Sequence, residues 1–327
     1  MRQLKTIVVG HDLKSGGETA LKSAVVLAAR CDAALRLVHV VEPQHHLYQM
    51  ISHPMASKNN LEQFVQQAGR KLREIVASWE LAHLRVEYEV HMGKPFVEII
   101  LASRACRADL IVVGGPADKH SHFLGSNPEH VMREASVPVL VARKPLDAEA
   151  KCFLVPTDFS AAAQKAAKEA VALARSFGGR IFFLHVLDLT PLLFAYGYEG
   201  DSFTSLQVPL PSPEGIAAEW DSFLSALPLC DIAWENRTEE GPVAKTISQQ
   251  AEAIRADAIV MGAHGRSALK HMLLGSVAEA VAHAAPCPVL TVKPEAVEFK
   301  LPSAFELGLV DGSYEGSFDR QGARDRG

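Results

Sequence analysis

Three glycines and a serine near the end of the chain have the types and spacing to bind an anion through the main chain. Gly262-Ala263-His264-Gly265 is followed, after nine residues, by Gly275-Ser276-Val277. Glycine at such places lets backbone approach a pyrophosphate with no Cβ in the way, and a Gly-Ser pair that opens a helix aims unpaired N–H groups at the charge. Phosphate binding is the chemistry this spacing suits. The ligand-free alternative is a capping box, Ser276-Val277-Ala278-Glu279, in which the serine only starts a helix. Arg266, Lys270 and His264 lie in the same loop and could neutralise phosphate, although a solvated loop charge is the commoner state.

The same pattern occurs earlier in altered form, as Gly114-Gly115-Pro116-Ala117 and then Gly125-Ser126. Here alanine stands in place of the second glycine, proline stiffens the loop, and the closing pair comes two residues sooner. Pro128 also removes an N–H near the start of the following helix. The two versions belong to a duplication. Asp12 and Asp158 differ by 146, His39 and His185 by 146, Gly93 and Gly241 by 148, Gly114 and Gly262 by 148, and Pro138 and Pro288 by 150. A period that long matches one ordinary domain per copy, and 327 residues suit two. The expected division is residues 1–146, residues 150–295, and a tail over 296–327 whose Gly, Ser, Asp and Arg content and lost periodicity predict disorder.

To position such loops the chain needs strands that end at them. Apolar runs over 6–9, 35–41, 86–90, 110–113 and 139–142 alternate with helical patterns over 19–29, 61–79, 96–106 and 129–135. The second half repeats the strands over 152–155, 181–187, 232–235, 258–261 and 289–292. Continuous apolar runs read as strands buried on both faces, and strand–helix alternation predicts parallel pairing. The expected fold is therefore α/β, two tandem doubly wound domains of five parallel strands each. Ser160 reads as an N-cap and Gly178-Gly179 as the C-terminal stop of an alanine-rich helix. Residues 42–60 and 188–215 interrupt the pattern and read as lids or partner surfaces.

Hydrophobic residues at 48%, charged residues at 22% and a net charge of -5 exclude a disordered chain and a basic nucleic-acid-binding surface. The five cysteines are odd in number and show no CxxC spacing, so they read as buried thiols in a reducing compartment. The apolar stretch after Lys5 is too short for a signal peptide or membrane span, which makes the cytoplasm the expected location. His45-His46, His120-x-His122 and His11-Asp12 lack a completing ligand set and read as surface histidines rather than a metal site. No paired carboxylates or Ser-His-Asp set stands on matched strand ends, so no catalytic residue is assigned. Ser15-Gly16-Gly17-Glu18-Thr19 resembles the SGGxDS loop of ATP pyrophosphatases but lacks its aspartate and last serine.

Gly262-x2-Gly265-x9-Gly275-Ser276 resembles the nucleotide-binding signature of the universal stress protein family. Asp158 after Leu154-Val155-Pro156-Thr157, Leu184-His185-Val186, Gly241-Pro242, the run from Ala256 to Gly262 and Cys287-Pro288-Val289-Leu290 resemble its other landmarks in order. The likeness spans about residues 1–295 and is to the tandem members. It implies Rossmann-like domains of the adenine nucleotide alpha hydrolase-like type. It also implies an adenine nucleotide, usually ATP, with or without Mg2+, whose adenosine is read by Asp158 and Val186 and whose phosphates lie at the glycine loop. In the first copy Asp12, Val40, Gly114, Gly125 and Ser126 remain, yet the altered loop predicts an empty or repurposed site. The resemblance further implies a nucleotide-gated stress-response module with a protein partner still to be identified. Slow ATP hydrolysis, or a small-ligand or interaction protein independent of nucleotide, are the alternatives. The last strand of each copy is an apolar edge, which predicts that the copies pair as a pseudo-dimer within the chain, with or without a further homodimer.

Overall fold

A computed structural model describes residues 4–42, 54–78, 84–115, 124–188, 212–265 and 274–293. The chain divides into two compact units, Arg2–Leu146 and Asp147–Pro294. In the first unit the order is β1 (Thr6–Gly10), α1 (Ser15–Cys31), β2 (Ala34–Val41), α2 (Pro54–Ser78), β3 (Val86–Met92), α3 (Pro95–Ala105), β4 (Leu110–Gly114), α4 (Ser126–Glu134) and β5 (Val139–Ala142). The second unit follows with β6 (Cys152–Thr157), α5 (Ala161–Phe177), β7 (Arg180–Leu187), α6 (Pro213–Ser225), β8 (Ala233–Glu240), α7 (Val243–Ala253), β9 (Ala258–Gly262), α8 (Ser276–Ala284) and β10 (Val289–Val292).

Within each unit the strands run parallel in the order third, second, first, fourth, fifth: β3-β2-β1-β4-β5 and β8-β7-β6-β9-β10. The expected α/β class and five-stranded parallel sheets are observed. Ile7, Val8 and Val9 of β1, and Phe153, Leu154 and Val155 of β6, are wholly buried, as strands covered on both faces must be. Chain direction across the sheet reverses beside β1 in one unit and β6 in the other, so the carboxyl ends of β1/β4 and β6/β9 are the places where a doubly wound sheet takes a ligand.

One device common to both units carries no periodic sequence signal. The Asp109 carboxylate accepts the N–H groups of Lys5 and Thr6 at 2.8 and 3.1 Å, and Asp257 accepts those of Lys151 and Cys152 at 2.7 and 2.9 Å. Each aspartate precedes the fourth strand and fastens the start of the first, setting their register before the ladder begins. The ladders then diverge. β1 pairs with β4 from Ile7–Leu110 to Gly10–Val113, whereas β6 pairs with β9 only at Phe153–Ala258 and Leu154–Ile259. Pro156 has no N–H to give, which ends the second ladder three residues short of the strand ends.

Several element bounds differ from expectation. Helix α1 starts at Ser15 rather than residue 19, so Ser15-Gly16-Gly17 is its first turn and not a phosphate loop. Helix α2 starts at Pro54, inside the interval read as a loop, and α6 starts at Pro213 behind a Ser212 cap that accepts Gly215 N–H. Strand β8 runs on to Glu240, five residues past the expected end, because its Glu-Asn-Arg-Thr-Glu-Glu sequence is exposed and charged, as an edge strand is, and shows no apolar run. The cysteines also differ: Cys152 and Cys287 are buried, Cys31 and Cys106 half-buried, and Cys230 exposed on a surface turn. The remainder of the two long intervals, residues 43–53 and 189–211, and the tail over 296–327, lie outside the described residues.

Candidate functional site

In the second unit the turn from β6 into α5 is built by four side chains in succession. Phe159 adopts a left-handed φ of 62°. Thr157 Oγ1 accepts the Phe159 N–H at 2.9 Å, Asp158 Oδ1 accepts the Ser160 N–H at 3.1 Å, and Ser160 Oγ accepts the Ala163 N–H at 3.2 Å. The last of these is the expected N-cap of α5. From β7, the His185 ring donates from Nδ1 to the Thr157 carbonyl at 2.8 Å, which ties the second strand to the turn. Phe159 lies against His185 at 4.5 Å between ring centroids, against Trp220 at 5.0 Å and against Phe223 at 5.7 Å. Trp220 is anchored by its Nε1–H bond to Thr238 Oγ1 at 3.0 Å. This aromatic wall packs on the turn; the sequence shows no signal for it, because Phe159, His185, Trp220 and Phe223 come from separate elements that only the fold brings together.

The glycines after β9 meet that turn. A Cβ on Gly262 would stand 3.0 Å from Ala162, and one on Gly265 would stand 2.8 Å from Asp158 Oδ2. The Gly275 N–H donates to the Ala263 carbonyl at 2.8 Å, and a Cβ on Gly275 would come within 3.5 Å of His264 Cα. Asp158, Gly262, Gly265 and Gly275 are thus gathered at the carboxyl ends of β6 and β9. The N-cap of α8 is Gly275 itself and no side chain caps it, so the serine-led capping box is not formed. Ser276 and Val277 are the first two helical residues, whose N–H groups have no partner within the helix. Val186 stands half-buried near the end of β7, directly after His185. Arg266 and Lys270 lie outside the described residues.

Of the charged or titratable residues in this loop, His264 lies among the described residues. Burial lowers the His264 pKa, and the positive charge of Lys293 lowers it further. Both effects favour the uncharged ring when no anion is beside it. Lys293, only 4% exposed just past β10, is a cation the sequence reading passed over, since it follows the strand outside the glycine spacing.

The first unit makes the same turn with other residues. Leu13 has φ 57°, the His11 ring accepts its N–H through Nδ1 at 3.0 Å, and His39 Nδ1 donates to the His11 carbonyl at 2.7 Å. His11 is 3% exposed, not a surface histidine, because its ring performs the turn-closing task of Thr157. Burial lowers the pKa of both His11 and His39. Asp12 Oδ1 accepts two N–H groups, of Lys14 at 2.9 Å and Gly17 at 2.7 Å. Gly114 is packed against Gly16 so closely that any side chain would strike the Gly16 backbone. Gly125 has φ 95°, where Gly275 has -79°, so α4 is entered along a different path, with Ser126 first and Pro128 third in the helix. A cleft of about 860 Å³ opens here, lined among others by Asp12, Lys14, His39, Val40, Gly114 and Gly125. His45, His46, His120 and His122 lie outside the described residues, as do Pro116 and Ala117.

A sequence model of the universal stress protein family matches residues 3–143 and again 150–293. The chain belongs to the universal stress protein family. A universal stress protein of Mycolicibacterium smegmatis is 26% identical over 306 residues, 88% of this chain and 97% of that protein. One of Methanocaldococcus jannaschii is 34% identical over 152 residues, 44% of this chain and 82% of that protein. Among solved structures, a universal stress protein from Archaeoglobus fulgidus shares 24% identity and superimposes with a TM-score of 0.65, covering 89% of this chain and 99% of that one. The family and its tandem arrangement are thereby shown, and the fold agrees. None of the described helices is long and apolar enough to cross a membrane.

Proposed function

We propose that the second unit of this universal stress protein binds an adenine nucleotide, ATP with or without Mg2+, and acts as a nucleotide-gated module in a cytoplasmic stress response. The observation that carries the reading is the close approach of Gly265 to Asp158 Oδ2, with Gly262 packed on the start of α5 and Gly275 on the His264–Gly265 backbone, at strand ends where the β6–β9 ladder has stopped. Close approach of main chain, unpartnered N–H groups at the start of α8 and a carboxylate across the crevice suit the phosphate and adenosine ends of one ligand. Asp158 and Val186 read the adenosine; Gly265, Gly275, Ser276 and Val277 hold phosphates, and Arg266 adds charge from the loop. Turnover is slow or absent, as the sequence sets no paired carboxylates or Ser-His-Asp group at these strand ends to activate water.

The purified chain should hold close to one equivalent of ATP after incubation and desalting, with little ADP formed over hours, as read by native mass spectrometry and nucleotide chromatography. Rapid conversion to ADP would replace the binding module with an ATPase. A chain that retains an apolar molecule and takes up no nucleotide would favour a small-ligand protein instead.

A further inference from the structure

The residue two places after each turn aspartate differs between the units, Lys14 in one and Ser160 in the other. Lys14, Gly16 and Gly17 match Ser160, Ala162 and Ala163, each pair 146 apart. Both helices need an acceptor for the N–H of their third residue. In α5 the Ser160 hydroxyl supplies it. Lys14 supplies none, and Asp12 turns back onto the helix to accept from Gly17 at 2.7 Å. That posture requires glycine: a Cβ at residue 17 would stand 2.7 Å from Asp12 Oδ1 and 2.8 Å from Asp12 N. Ala163 carries that Cβ, which bars Asp158 from the same posture, and Asp158 Oδ2 instead lies beside Gly265 in the phosphate loop.

We propose that Ser160 and Ala163 are positioning residues that hold the Asp158 carboxylate toward the ligand, whereas Lys14 and Gly17 assign Asp12 to its own helix and withdraw it from ligand recognition. The proposal rests on the nucleotide reading above and refines it. A carboxylate accepts hydrogen bonds only, so it selects ligand groups that donate, such as ribose hydroxyls, and it repels phosphate. The cassette therefore governs recognition of the nucleoside end and leaves the phosphate end to the glycine loop.

The test transfers the first unit's cassette into the second, as Ser160→Lys with Ala163→Gly in the full chain, and titrates ATP and inorganic tripolyphosphate. The altered chain should lose roughly 10- to 150-fold in ATP affinity, the loss of one hydrogen bond to a charged group, and stay within about twofold for tripolyphosphate. Ser160→Thr, which keeps the cap, should match the wild type with both probes. Asp158→Asn, which leaves the helix start unchanged, should lose the same factor for ATP, and adding it to the double exchange should lose nothing more. Equal losses for both probes, additive losses with Asp158→Asn, or an unchanged ATP affinity would each overturn the proposal. A wild-type chain that binds neither probe would instead overturn the nucleotide reading, and this proposal with it.

Discussion

The turn after the first strand is the most instructive comparison between the two units. Both place a left-handed residue behind an aspartate, Leu13 and Phe159, and both close the turn with the side chain before it, His11 or Thr157. Both also tie the second strand to it through a histidine, His39 or His185. The fold is thus satisfied equally by either set. What differs is the acceptor for the helix start, the point at which the first ladder stops, and the φ of the glycine that opens the fourth helix. Duplication has kept the aspartate clamp, the left-handed turn and the histidine tie, and changed the helix-start acceptor, the ladder beside the first strand and the entry to the fourth helix, so one unit serves as a control for the other.

The largest effect expected from this contrast comes from filling the glycine loop. Gly265→Val with Gly275→Val should weaken ATP binding by roughly tenfold to ten-thousandfold, the loss of one or two charge-assisted bonds, measured by calorimetric titration. Gly125→Val in the first unit should leave the ATP affinity of the chain unchanged. A chain whose ATP affinity falls equally with either change would erase the distinction.

The next effect should be alike in the two units. Asp109→Ala and Asp257→Ala each remove an acceptor for two N–H groups and should each cost about 1.5–3 kcal/mol, read from denaturant unfolding followed by hydrogen exchange in the unit affected. A cost confined to one unit would show that the shared strand clamp is not equivalent.

The pH response should separate them again. His91 is pushed up to about 9 by the hydrogen bonds its ring donates to Glu89 and to buried Glu98, and the second unit has Glu239 in its place. A raised pKa contributes stability that is complete below 6.5, the ordinary value, and is lost as pH rises through about 9, on the order of 1–3 kcal/mol. His11 and His39 carry the opposite sign. Their lowered pKa values contribute stability present above 6.5 and lost as pH falls below it, as the unfolded chain takes up the protons more readily. The first unit should therefore lose protection from hydrogen exchange at both ends of the range. His91→Gln should flatten its alkaline limb; a limb that persists would assign it to another group.

Smallest is the cap itself. Ser160→Ala should cost about 0.5–2 kcal/mol, while Lys14→Ala, which removes no cap, should stay within about 0.5 kcal/mol. Equal costs would mean that the two helix starts are not held as described.

The strands and their parallel pairing were legible because runs such as Ile7-Val8-Val9 and Ile259-Val260-Met261 are buried on both faces, and burial on both faces leaves a plain apolar word. Strand β8 was cut short for the converse reason, since an edge carries charge. Helix α1 was started four residues late because two glycines argue against a helix, and nothing local shows that Asp12 reaches forward to stabilise it. At the site, the glycine spacing located the loop correctly relative to β9 and α8. The family resemblance groups Asp158 with that loop, but local sequence does not show the contacts: Asp158 against Gly265 is a contact across more than a hundred residues, and the Trp220–Phe159 wall joins two elements far apart in the chain. The cleft beside Asp12 is lined by Asp12, Val40, Gly114 and Gly125, which the repeat groups in the sequence; its volume alone is not legible there, because it is set by what packing leaves unfilled.

The most direct test of the account is calorimetric titration of the full chain with ATP. One tight site per chain, removed by Gly265→Val with Gly275→Val and left unchanged by Gly125→Val, is the predicted result. Two equivalent tight sites, or a single site that survives the loss of both second-unit glycines, would contradict it.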